Sequence, residues 1–254
     1  MPMHFGIGTL GRAVTRGRKR EFRPFAFIVY NLEMQAVILA AGKGTRMEHL
    51  TKELPKPLLR YGGKSLLQHK IEDLPDTINE IVIVIGYLGE KIKSELGDSY
   101  NNKKICYVED KEINGTAMAL WQAKDLLKEN FLVIMGDDIY SKESFLNASK
   151  ETWSITVKKI PREDPASRIE LDKDGKLIGF LVADKYRAKY DDGGYAFTGL
   201  YSLNKKIFNY PMVKMDMKDE WGLPHTLLKA VPDIDLKILE TEHWRQITSP
   251  KDLQ

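Results

Sequence analysis

Met34-Gln35-Ala36-Val37-Ile38-Leu39-Ala40-Ala41-Gly42-Lys43-Gly44-Thr45-Arg46-Met47 is the stretch that decides the architecture. Its first half is a short, nearly unbroken apolar run, the pattern of a strand covered on both faces. Its second half is a glycine turn carrying two cations. A doubly covered strand that feeds such a turn belongs in a parallel sheet flanked by helices. The turn then sits at the carboxyl end of the strand, where backbone N–H groups can surround an anion.

Working outward, strand-length apolar runs alternate with amphipathic stretches. Glu80–Ile85, Lys104–Val108 and Phe131–Met135 read as further buried strands. Ser65–Asp73, Glu90–Leu96 and Ala117–Lys128 read as helices, the last with Leu120, Ala123, Leu126 and Leu127 on one side. The expected fold is α/β, a Rossmann-like three-layer sandwich with a mostly parallel central sheet. After the strand Ser154–Lys159 the texture shifts. Arg168–Leu171 and Leu177–Val182 flank Asp174-Gly175, a hairpin signal, Tyr195–Tyr201 and Leu236–Leu239 are strand-like, and Thr226–Val231 continues a short helix. The C-terminal part is therefore expected to be mixed, and no solenoid-period repeat is present.

With 254 residues, 43% of them hydrophobic, the chain has material for one large domain and a substantial core. Its net charge of +3 is unevenly distributed: residues 1–33 carry a net +4, and the rest holds 33 basic against 34 acidic residues. The basicity belongs to the prefix, which removes most of the electrostatic case for nucleic acid. No run approaches the ~18 apolar residues of a bilayer span. The single cysteine, Cys106, cannot form an internal disulfide and reads as a small buried strand residue. A cytoplasmic location is expected. Residues 1–33 read as an N-terminal extension, unstructured or loosely packed, with Met34 as the functional start and residues 34–254 as the domain. The alternatives are an Arg-rich targeting peptide or a surface-binding arm. A secretory signal is disfavoured because Arg23 and Pro24 crowd the apolar run Phe25–Tyr30 and no small-residue cleavage site follows.

Three segments carry chemistry. In the glycine turn, a dinucleotide fingerprint would need glycine where Met47 stands, and the Gly-Lys-Ser/Thr ending of a P-loop is absent. What remains is Lys43 and Arg46 beside Leu54-Pro55-Lys56-Pro57-Leu58-Leu59, three cations suited to a polyphosphate. Asp137, after Gly136 at the end of the fourth strand, is placed to hold Mg²⁺ against phosphate oxygens. Asn114-Gly115-Thr116-Ala117 enters a helix with small residues that permit close approach of a base or ribose. Singly, these are a solvated turn, a turn aspartate and a helix entry; in combination they favour a nucleotide site. The five histidines show no metal-ligand spacing, and no Gly-x-Ser-x-Gly elbow occurs.

In this order, the segments resemble the nucleotidyltransferase family that makes NDP-sugars from sugar-1-phosphates, over residues 34–254. The resemblance implies that Leu39, Ala41, Gly42, Gly44, Thr45, Arg46 and Lys56 surround the nucleotide phosphates. It implies that Gly86, Gly115 and Thr116 contact base and ribose, with Asp110 near a glutamine that reads uracil or thymine in several members. Asp137 falls at the metal aspartate. Asp184 and Lys185 lie where many members have Glu-Lys-Pro, and Gly199 in Phe197-Thr198-Gly199-Leu200-Tyr201 resembles a sugar-site glycine, making the C-terminal part an acceptor half. The implied activity transfers NMP from an NTP to a sugar-1-phosphate with release of pyrophosphate. Mg²⁺ is the implied cofactor, and Arg46, Lys56 and Lys185 are the implied catalytic cations. The implied partners are an NTP and a phosphorylated small acceptor, with no nucleic acid or membrane; oligomeric state is left open. No left-handed β-helix domain is expected after Trp244.

Several positions depart from the family. Trp244-Arg245-Gln246-Ile247-Thr248-Ser249-Pro250 has Gln246 where a second metal aspartate is usual, leaving Asp138, or substrate phosphate and water, to complete the coordination. Ser167 stands near a usual sugar-site glycine, and Tyr186 replaces the proline after the lysine. Two other functions stay open: a cytidylyltransferase acting on a phosphorylated alcohol such as choline or inositol phosphate, and a non-catalytic nucleotide-binding regulatory homologue.

Overall fold

Met34–Ala40 forms β1, an interior strand of a ten-stranded sheet in the computed structural model, which describes residues 34–215 and 218–254. The expectations for residues 1–33 lie outside the described residues. All seven residues of β1 are buried. Alternate side chains of a strand point to opposite faces. Ala36, Ile38 and Ala40 accordingly enter one core, and Val37 and Leu39 the other. β2 (Glu80–Ile85) pairs parallel with β1, and β3 (Lys103–Glu109) pairs parallel with β2. β4 (Asn130–Met135) pairs parallel with β1 on its other side, so that Leu39 lies level with Met135. The loops leaving β1 and β4 emerge together.

Helix α1 (Leu66–Asp73) buries Leu67 and Ile71 in the first core, beside Ile92 of α2 (Gly89–Leu96). Its start is set by a capping box, with Gln68 N donating to Ser65 Oγ at 3.2 Å and Ser65 N to Gln68 Oε1 at 2.9 Å. Helix α3 (Thr116–Gln122) buries Ala117 and Leu120 in the second core. Layers on both faces of the parallel strands make the expected three-layer sandwich.

The helix expected over Ala117–Lys128 stops at Gln122 and gives way to a 3-10 turn, Lys124–Leu126, leaving Leu126 half exposed. The side-chain amide of Gln35 holds the chain that follows the helix. Its Nε2 donates to Leu126 O at 3.4 Å and its Oε1 accepts from Lys128 N at 2.9 Å, giving those backbone groups partners on β1. Helix α4 (Lys142–Ala148), capped by Ser141, adds Phe145 to the first core and was not foreseen.

The rest of the sheet is mixed. β5 (Ser154–Lys159) is followed by a hairpin of β6 (Arg168–Leu171) and β7 (Leu177–Leu181). The hairpin turns at Asp174-Gly175, where Asp172 Oδ1 accepts from the backbone of Asp174 and Lys176, both at 2.9 Å. A five-residue helix, α5 (Ala183–Arg187), then precedes β8 (Tyr195–Asn204). β8 runs antiparallel to both β4 and β5 and touches β6 through Ala196, joining the two parts of the sheet. Helix α6 (Leu223–Ala230) covers the second core, and β9 (Lys237–Glu240) pairs parallel with β5. Among the described residues no helix is long and apolar enough to cross a membrane.

Candidate active site

Because β1 and β4 end level, the glycine turn and Gly136-Asp137-Asp138 share one edge of the sheet; Gly136 N donates to Leu39 O at 2.9 Å. A cavity of about 250 Å³ opens there. Arg46, Lys56, Asp137 and Asp138 line it, together with Phe197, Gly199 and Tyr201 of β8.

The glycine turn folds back on the Pro-rich bend. Gly44 has a left-handed backbone (φ 62°), and a Cβ there would lie 2.9 Å from Lys56 Cβ, so only glycine lets the bend approach. Thr51 Oγ1 donates to Gly44 O at 3.1 Å, and Tyr87 Oη donates to Thr51 O and Lys52 O at 3.0 and 3.1 Å, fixing the far end. The result carries Lys56 inward until it is almost fully buried. Its Nζ donates to Asp137 Oδ2 at 2.7 Å and to Ile247 O at 2.5 Å. The turn runs into 3-10 geometry, Thr45–Thr51, rather than an α-helix, so no α-helix N-terminus follows the glycine turn. Arg46 is exposed on the cavity rim; Lys43 is exposed and does not line the cavity, so two of the three expected cations converge.

The adjacent acid has a different surrounding. Asp138 is 7% exposed, with Oδ2 accepting from Trp244 Nε1 at 3.2 Å and Oδ1 from Ile247 N at 3.1 Å. Burial, with the neighbouring charge of Asp137, pushes its carboxyl up to about 7. Beneath both acids lies Lys70 of α1, fully buried, donating to Leu66 O at 3.0 Å; burial lowers its ammonium to about 8, against the pull of Asp137 and Asp138.

A divalent ion was expected at Asp137, and the side chains present fit one. The Asp137 carboxylate is 40% exposed, it already attracts an ammonium, and the amide of Gln246 lines the same cavity. Asp138 also lines the cavity, with one hydrogen bond accepted on each oxygen. No group of three His, Cys, Asp or Glu assembles among the described residues. An ion there would complete its shell from water and phosphate oxygens, the manner of Mg²⁺.

The other expected site residues divide. Leu39 and Ala41 are buried at the end of β1, with Gly42 and Thr45 exposed in the turn. Gly86 is wedged against Ala41 and the Asp110 carbonyl. Asp110 is buried, its Oδ1 accepting from the backbone of Glu112 and Ile113 at 3.2 and 3.1 Å, so that oxygen shapes the loop. Gly115 (φ 94°) packs against backbone, a Cβ there falling 2.4 Å from Trp221 O. Thr116 lines the cavity and accepts from Leu223 N through Oγ1 at 3.0 Å. Asp184 and Lys185 are exposed on α5 and do not line the cavity; Asp184 pairs with Arg187. Gly199 lies on the cavity wall, in the register shift between Phe197 and Tyr201. Pro224, Ile247 and Thr248 also line the cavity, and nothing local in their sequence marks them.

A family model described as nucleotidyl transferase matches residues 35–253. The bifunctional protein GlmU of Methanocaldococcus jannaschii is 30% identical over 224 residues, 87% of this chain and 52% of that protein, so the chain spans about half the length of such relatives. The UTP–glucose-1-phosphate uridylyltransferase AglF of Haloferax volcanii is 39% identical over 238 residues, 86% of this chain and 93% of its own. Among solved structures, a putative glucose-1-phosphate thymidylyltransferase from Bacillus anthracis superposes with a TM-score of 0.70 at 24% identity, over 87% of this chain and 92% of the other, a likeness of fold. Fold, motif order and matched length agree, and the chain belongs to the nucleotidyl transferase family.

Proposed function

We propose that this chain transfers a nucleotidyl group from an NTP to a sugar-1-phosphate, releasing pyrophosphate and giving an NDP-sugar. The observation that carries this reading is the meeting of Arg46, Lys56 and Asp137 in one cavity at the carboxyl ends of β1 and β4. Similarity to AglF, named for a UTP-dependent reaction on glucose-1-phosphate, supports the acceptor class.

An acceptor phosphate oxygen attacks the α-phosphorus as the bond to the β-phosphate oxygen breaks, and pyrophosphate departs with that electron pair. The attacking oxygen is already anionic, so no general base is required. Positioning and charge neutralisation supply the rate. Arg46, on the rim, neutralises the β- and γ-phosphates and the leaving pyrophosphate. Lys56 shifts its ammonium from Asp137 to the α-phosphate region. Asp137, with Gln246 lining the same cavity, would hold Mg²⁺, which would supply neutralisation of phosphate charge. Phe197, half-buried on the cavity, offers an aromatic side chain to the acceptor, and the fully buried Tyr201 packs edge-on against that ring. Lys185 is assigned to the acceptor phosphate, which requires α5 to approach the cavity.

A panel of the four NTPs against sugar-1-phosphates, choline phosphate and inositol phosphate, read by pyrophosphate release, tests this. Turnover with a sugar-1-phosphate is the expected result. Turnover confined to CTP with a phospho-alcohol, or tight Mg²⁺–NTP binding with no pyrophosphate from any pair, overturns it.

A further inference from the structure

Ile247 is anchored at three points. Its side chain is buried with Met47, Leu59 and Leu66, its carbonyl accepts from Lys56, and its N–H donates to Asp138. Gln246 and Thr248, on either side of it, both line the cavity. Upstream, Trp244 and Arg245 pair antiparallel with Tyr140 and Ile139, a ladder only two residues long. So short a ladder fixes little alone. The buried polar group closing this arrangement is the carboxylate of Asp138, which accepts from Trp244 Nε1 and Ile247 N, 106 and 109 residues away.

We propose that Asp138 is a positioning residue that ties the segment 244–248 to the end of β4 and thereby keeps Gln246 in the cavity that Asp137 also lines. Two successive acids thus do different work although both line the cavity: Asp137 opens its carboxylate to it, and the nearly buried Asp138 turns its oxygens to Trp244 and Ile247 and sets where Gln246 stands. Groups that orient a metal's ligands typically matter about 10- to 100-fold for affinity or activity. The inference rests on the reading that Asp137 and Gln246 receive Mg²⁺–NTP.

The test uses the full chain with Asp138→Asn, Asp138→Leu and Trp244→Phe, the last removing one donor from the opposite side while keeping an aromatic ring. Amide hydrogen exchange at Ile247 reads the tie, calorimetric binding of Mg²⁺–UTP reads the site, and the Mg²⁺ concentration for half-maximal pyrophosphate release reads catalysis. Expected in Asp138→Leu and Trp244→Phe are at least ~10-fold faster exchange at Ile247 and a Mg²⁺ requirement raised ~10- to 100-fold, with partial recovery in Asp138→Asn. Faster exchange with an unchanged Mg²⁺ requirement and unchanged UTP binding overturns the proposal, leaving a purely structural tie. So does lost Mg²⁺–UTP binding in Asp138→Asn with exchange unaltered, which makes Asp138 itself a ligand. If the parent chain binds Mg²⁺–UTP but releases no pyrophosphate, the reaction assignment fails while exchange and binding still decide the role of Asp138.

Discussion

Lys56 and Asp137, 81 positions apart, meet with Nζ 2.7 Å from Oδ2, the ammonium buried and the carboxylate opening to the cavity. The pair links the bend after β1 to the tip of β4. It also places the cation where a triphosphate and its metal would compete for both partners. Lys56→Met should therefore retain the fold yet lose turnover by ~10²- to 10³-fold, the scale for removing a preorganised charge-stabilising donor. Single-turnover kinetics with saturating NTP check this; a rate within a few-fold of the parent refutes the role.

Arg46 is exposed, so Arg46→Ala should leave stability within about 0.5 kcal/mol, as surface substitutions do. Turnover should nonetheless fall ~10²- to 10³-fold, and Asp137→Ala should fold normally with a similar loss. Urea denaturation beside steady-state kinetics separates folding from chemistry. Full activity in either variant refutes the assignment.

Gly115→Ala should damage the wall beneath Thr116 through backbone alone. The residue has φ 94° and stands where a Cβ would meet Trp221 O at 2.4 Å, so the substitution forces Trp221 away. Strain of this kind costs ~1–3 kcal/mol. Denaturant midpoints should fall accordingly, and the KM for NTP should rise because Thr116 shifts with the helix entry. An unchanged midpoint would show that the strand Lys218–Trp221 moves aside freely.

The buried Lys70 imposes a pH signature. The unfolded chain takes up this proton near its ordinary value of 10.5, whereas the folded chain does so at about 8. Between these values the unfolded state binds more protons, so this group makes stability rise with pH through that window; below about 8 both states are charged and its slope vanishes. Stability of the parent relative to Lys70→Met should therefore increase from pH 8 to 10. Denaturation across that range reads it, and a constant difference refutes it.

What the sequence made legible was local. β2, β5 and β6 stand at their expected boundaries, β2 because an unbroken apolar run reports its own burial and β5 and β6 because short stretches rich in β-branched or alternating apolar residues fit a pleated strand. The glycine turn and Asp137 were found because each sits directly after a strand. The rest depends on partners distant in the chain. Asp138 reads in the sequence as a second acid beside Asp137, and its ties to Trp244 and Ile247, more than a hundred positions on, are visible only in the fold. Gly115 suggested room for a base, and the space is taken by Trp221 backbone. Beyond the early end of helix α3, the chain at Leu126 and Lys128 is held by Gln35 of another element, a partner its local pattern does not show. Lys185 was located by motif order alone, and α5 carries it on an exposed face.

β8 passes from Tyr195, bonded to β5, to Asn204, bonded to β4, and bends at Gly199 beside the cavity. The sheet edge that carries Asp137 and the strand that carries Phe197 and Gly199 are consequently stitched by one continuous length of backbone. Spreading them apart would tear ladder bonds, so the width of the cavity is set like the gap of a caliper machined from a single bar. Adjustment is left to the side chains and loops at its jaws.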